Sequence, residues 1–234
     1  LKQQLNNKFL KWTVIFLGAC VLGQTVLAAP IVYLKDGRKI QGISIKALRD
    51  GSVILETTAG SQKFTRDQIV RAVADKPAEI TSAQQKLKAK DFQGAIPLLE
   101  KVVKDYRNLQ WDIEASKLLL PAYLQVGNQA KVVETYESLG EDDVGPESRI
   151  PYFQALLAQQ KFAKLEGLLD ETIASGERSE AAVAQNIRGD IKVAQGDMES
   201  AVLDYLRTAL LFKSEREAHP EALYKAVEAL EKLR

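Results

Sequence analysis

The sequence predicts an α+β multidomain fold: a small five-stranded, barrel-like β module over residues 29–76, then an all-α stack of helix hairpins over 77–234. Three observations predict it. Apolar residues alternate with a period of two before Pro77 and recur at three- and four-residue spacing after it. Asp36-Gly37 and Asp50-Gly51 separate β-branched runs, the strongest short-range sign of a hairpin. Charge changes at the same place: nine Lys/Arg stand against five Asp/Glu in 29–76, and 20 against 26 beyond.

Composition narrows the chemistry. A single cysteine and a single histidine exclude a disulfide framework and a zinc finger. Fourteen glycines and seven prolines in 234 residues exclude a collagen-like chain. A net charge of +1 gives no global case for a nucleic-acid partner.

Residues 1–28 read as a signal peptide. Lys2, Lys8 and Lys11 precede the apolar run Trp12 to Leu22, and no acid occurs before Pro30. Val26 and Ala28 fit the small-residue positions of a cleavage site, which predicts a cut after Ala28. Two other outcomes stay open. Leu17-Gly18-Ala19-Cys20 resembles a bacterial lipobox, which implies a lipoprotein anchored at Cys20. An uncleaved anchor is the third, although a spanning helix needs about 20 apolar residues. All three export the chain to the periplasm or cell envelope, and only the last two bring it to a membrane.

The β module reads in order as Ile31 to Leu34, Arg38 to Leu48, Ser52 to Thr57, Ser61 to Thr65 and Ile69 to Val73. The apolar phase changes between Ile40 and Ile43, which predicts a bulge or sharp bend at Gly42. Arg66-Asp67-Gln68 reads as a helical turn before the fifth strand. This set of strands and turns resembles SH3-like or Sm-like small barrels over about 43 residues. Such barrels line peptide grooves with aromatics, but only Tyr33 and Phe64 occur here, and Phe64 is assigned to the core. The connection from Asp75 to Glu79 is expected to be loose and protease-sensitive.

From Pro77 the periodicity predicts nine helices: Thr81 to Lys90, Phe92 to Tyr106, Trp111 to Val126, Ala130 to Leu139, Ser148 to Gln160, Phe162 to Ala174, Glu180 to Gln195, Met198 to Phe212 and Glu221 to Leu233. The short breaks between them force neighbours antiparallel. Asp91 and Asp197 are placed as N-caps, and Pro146 and Pro220 as helix openers. Ala95, Val132, Leu165 and Ala201 recur at intervals of 37, 33 and 36 residues, followed four residues on by Leu99, Tyr136, Leu169 and Tyr205. This period, with Gly189, Gly196-Asp197, Ala201 and Tyr205 in the fourth unit, resembles tetratricopeptide repeats. Leu120 and Phe153 depart from the small residue that the family prefers where Gly189 stands. The resemblance implies stacked helix hairpins with Glu221 to Leu233 as the capping helix.

No reactive constellation emerges. His219 precedes Pro220 at a helix start and reads as a loop histidine; Glu141-Asp142-Asp143 lacks the alternating spacing of a calcium loop. No Gly-rich phosphate loop occurs. The expectation is therefore a protein that is not an enzyme, with no cofactor and no metal ligands. Its expected role is an exported protein-interaction scaffold that binds a peptide or protein surface and no nucleic acid. The resemblance places the first helix of each pair on the concave face, where Asn186 and Lys192 are expected to contact the partner and Tyr123 and Tyr152 to anchor it. Two alternatives stay open. One is an envelope hydrolase using carboxylates such as Glu134, Glu137 and Asp170. The other is an anion-binding β module, with Lys35, Arg38, Lys39, Lys46, Arg49, Lys63, Arg66 and Arg71 as its bases and the helices as spacer.

Overall fold

The computed structural model describes residues 29–48 and 50–233, so the signal-peptide reading and Cys20 lie outside the described residues. Six strands form in the β module: β1 (Ile31–Leu34), β2 (Lys39–Gln41), β3 (Ser44–Ala47), β4 (Val53–Thr57), β5 (Gly60–Phe64) and β6 (Ile69–Val73). A 3-10 turn at Arg66–Gln68 precedes the last. They make two antiparallel sheets ordered β2-β1-β6 and β3-β4-β5, and among the described residues no pairing closes them into a barrel. The expected second strand is two strands, and the reason is Gly42. Its amide donates to the Pro30 carbonyl beside one sheet, and the next amide, of Ile43, donates to Glu56 in the other. A Cβ on Gly42 would lie 2.5 Å from Leu55 Cδ1 and 2.6 Å from the Glu56 carbonyl oxygen, so only glycine lets the chain cross there.

Alternate residues of the strands, Val32, Leu34, Val53, Leu55, Phe64 and Ala72, point into one small core. Leu109, from the helical part of the chain, completes it. Around Leu109, Asn108 Nδ2 donates to the Gly51 carbonyl at 3.1 Å, and the Trp111 indole N–H donates to that of Ala74 at 2.8 Å. Ala74 and Pro77 are buried. Between the end of β6 at Val73 and the start of the first helix at Ala78, these two residues are packed, while Asp75 is half-buried and Lys76 exposed.

Nine α-helices follow among the described residues: α1 (Ala78–Lys88), α2 (Phe92–Asp105), α3 (Trp111–Gln125), α4 (Gln129–Glu137), α5 (Pro146–Ala158), α6 (Phe162–Ser175), α7 (Arg178–Ala194), α8 (Met198–Leu211) and α9 (Ala218–Lys232). The four turns inside the hairpins are built alike. Lys90, Gly127, Gln160 and Gly196 each take positive φ, at the 37-, 33- and 36-residue intervals seen in the sequence. The next amide then reaches back to the carbonyl five residues earlier: Asp91 to Lys86, Asn128 to Tyr123, Lys161 to Leu156 and Asp197 to Lys192. Asp91, Asn128 and Asp197 go on to cap the second helix, accepting from Gly94, Lys131 and Ser200 amides. The Lys86 ammonium and the Gly94 amide hold the Asp91 carboxyl below its usual range.

The first helices touch in succession, α3 to α5, α5 to α7 and α7 to α9. Each second helix packs between the first helices before and after it. One continuous apolar core runs from α1 to α7, with Leu99, Leu120, Phe153, Leu156 and Leu169 fully buried in it. The last pair is held by a smaller cluster in which Val202 and Tyr205 of α8 meet Ala226 and Ala229 of α9.

Candidate docking surface

The four residues expected on a concave binding face do not form one. Asn186 is 1% exposed, and its Nδ2 donates to the Ala218 carbonyl at 2.9 Å, tying α7 to the start of α9. Tyr123 is buried with its hydroxyl on Glu100 at 2.6 Å; burial, then that carboxylate, drive its pKa up. Tyr152 is buried against Tyr136, the rings stacked 4.0 Å apart. Lys192 is half-buried, its ammonium on Glu166 of α6 at 2.9 Å. The physical reason is common to all four. Neighbouring helices enclose α3, α5 and α7, so side chains that a helical wheel would turn to solvent find partners on those neighbours.

Lys192 instead lines a groove of about 590 Å³ between α6 and α8, floored by α7. The charges in it are internally matched. Arg188 bridges Asp170 and Asp204, each at 3.0 Å, and Arg207 reaches Asp204 at 2.6 Å. Burial alone would lower the Arg188 guanidinium, but its bonds to Asp204 and Asp170 hold it above its usual value. This groove is a lattice of ion pairs that ties three helices together.

The carboxylates of the hydrolase alternative are likewise engaged: Glu134 with Lys131, Glu137 with Lys164, Asp170 with Arg188. The Lys164 ammonium keeps Glu137 below its usual range, the wrong direction for a general acid. Among the described residues no group of three or more His, Cys, Asp or Glu is placed to hold a metal. A second cavity of about 790 Å³ lies where β6 faces the helices. Lys35, Arg66 and Arg71 line it, but so do Asp67, Asp112 and Asp143, and the mixture does not favour an anion. On the sheet itself, Lys39 and Arg71 flank the Tyr33 ring at 5.3 and 4.3 Å.

The feature missed by the sequence reading is at the end of the stack. Of the eleven large apolar side chains left exposed among the described residues, nine lie on α8, on α9 or just after it. Leu203, Leu206 and Leu210 form a stripe on α8, and Leu223, Val227 and Leu230 one on α9, with Tyr224 beside it. Lys225 pairs with Asp190 of α7, so it marks the α7 side of α9. The leucine stripe of α9 therefore lies on the opposite edge, next to α8, and the two stripes flank one seam. The inner face of α9 is alanine: Ala218, Ala222, Ala226 and Ala229 are buried. A capping helix turns a polar face outward, whereas α9 turns out Leu223, Tyr224, Val227 and Leu230 beside its exposed acids. The signal was in the sequence as two adjacent apolar faces, alanine at 222, 226 and 229 beside leucine or valine at 223, 227 and 230.

No family model, curated protein or solved structure matches this chain.

Proposed function

We propose that the chain is an exported, non-enzymatic scaffold of the bacterial cell envelope that works by holding a protein partner. In this reading a tetratricopeptide-like helix stack carries the binding surface and an SH3-like β module is braced against its first helices. The lysines and apolar run before Ala29 carry the export part. The open apolar end on α8 and α9 carries the binding part. Seven side chains, each about half exposed, present roughly 400 Å² of apolar surface, at about 100 Å² per full aliphatic side chain and about 200 Å² for the tyrosine. That is the size of the largest patch on a typical monomer, about 300–600 Å², which is often the functional one. The partner surface thus moves from the first helices, whose polar residues are consumed in packing, to the end of the stack.

The test is site-specific photo-cross-linking of the whole chain produced in a bacterial host and recovered from the envelope fraction. A photoreactive residue at Leu210 or Val227 is expected to give discrete protein adducts. One at Gln154, exposed on α5, is expected to give none. Absence of protein adducts at both Leu210 and Val227 would overturn the reading.

A further inference from the structure

Resting on that reading, we propose that the partner on the α8–α9 face is the same face of a second copy of this chain. The roughly 400 Å² of apolar surface is close to the apolar share, a little over half, of the ~800 Å² that each partner contributes to a standard interface. Two antiparallel helices with a stripe on each flank of their seam are also self-complementary, as a twofold interface requires. Laid face to face, two copies form a four-helix bundle in which α8 of one covers α9 of the other.

Charge selects the axis. Val202 and Tyr205 share one cluster with Ala226 and Ala229; pairing Val202 with Ala229 and Tyr205 with Ala226 across the antiparallel seam puts Arg207 of α8 level with Tyr224 of α9. Arg207 stands at the outer edge of the α8 stripe, its Nη1 held by Asp204 at 2.6 Å and its side chain still half exposed to a partner. The opposite outer edge, on α9, carries Tyr224, whose hydroxyl donates to Glu228 at 2.7 Å, and Glu231. A twofold axis parallel to the helices brings Arg207 of each copy onto the aromatic ring and carboxylates of the other. An axis across the helices leaves both arginines on one edge, facing each other. The structure thus assigns the parallel axis and an antiparallel bundle.

Sedimentation velocity over a wide concentration range tests this on the chain as recovered from the envelope fraction of the bacterial host. The expected species has twice the chain mass. Leu210→Glu with Val227→Glu is expected to sediment as a monomer, its helical circular dichroism unchanged because both side chains are exposed. Arg207→Glu, with Asp204 still held by Arg188 and Gln185 and the helical signal unchanged, is expected to weaken pairing about tenfold, and adding Glu228→Arg to restore it. A wild-type monomer at every concentration would overturn self-pairing; adducts to a different protein at Leu210 would then leave the scaffold reading standing. A dimer that survives the double glutamate variant would overturn the assignment of the face. If that variant loses its helical signal, the reversal of Arg207 and Glu228 decides: loss without restoration overturns the parallel axis.

Discussion

Replacing Arg149 with alanine is expected to destabilise the fold by about 3 kcal/mol, the low end for one member of a buried ion pair. Glu180 sits in the first turn of α7 with its side chain 1% exposed, and Arg149 of α5 meets both its oxygens, at 3.0 and 3.1 Å. Desolvating that carboxylate is costly, and the guanidinium offsets the cost through two charge-assisted bonds. Removal of Arg149 leaves the carboxylate buried and alone. Arg149 is itself 34% exposed, so water reaches part of the vacated site and keeps the loss from the top of the range. Thermal unfolding followed by circular dichroism is expected to show a midpoint lower by roughly 10 °C for a chain of this size. Adding Glu180→Leu is expected to recover much of the loss, because the pair is then gone from both sides. A double variant no better than the single one would show that Glu180 is not the cause.

Phe153→Ala is expected to cost about 3–5 kcal/mol, the range for deleting a fully buried ring. Phe153 is fully buried in the main core, tilted against Tyr152 with ring centres 6.4 Å apart. It also walls a cavity of about 300 Å³ shared with Tyr136, Leu168 and Thr172, and its loss would enlarge that void. The same repeat position is glycine at 189, where a Cβ would come within 2.5 Å of Tyr205 Cε1. One position thus demands a ring in the middle of the stack and nothing at its end, because Tyr205 fills at the end the space that Phe153 fills at the centre. Urea unfolding is expected to show a lower midpoint with an unchanged slope. A loss under about 1 kcal/mol would contradict the packing of α5 between α3 and α7.

Much of this architecture is legible in the sequence, and the reasons are local. The turns at Lys90, Gly127, Gln160 and Gly196 repeat because positive φ, a back-reaching amide and a capping side chain are short-range devices. The bend at Gly42 and the helical turn before β6 are legible for the same reason. What periodicity does not carry is which neighbour covers a face. Asn186 and Tyr152 look like surface contacts on an isolated helix and become interior only when α9 and α4 are laid against them. The end face fails in the opposite sense. Glu221 to Leu233 has enough polar residues to read as a cap, yet alanine takes the inward positions and leucine and valine the outward ones. Only packing against α8 shows which apolar face is buried. The packed link at Ala74 is equally non-local, since Trp111 donates to it from 37 positions away.

Hydroxyl-radical footprinting of the assembled protein tests the end face most directly, because the fold supplies its own controls. Leu210 and Tyr224 are 66% and 65% exposed in the single chain, and Ile43 and Val70, in the β module, are 67% and 66%. With each rate normalised to the unfolded chain, the account predicts that Ile43 and Val70 react freely while Leu210 and Tyr224 are protected at concentrations where the dimer forms. Protection is expected to vanish in the Leu210→Glu, Val227→Glu variant, read at Tyr224. Leu210 and Tyr224 reacting as freely as Ile43 and Val70 in the wild-type protein at every concentration would contradict it.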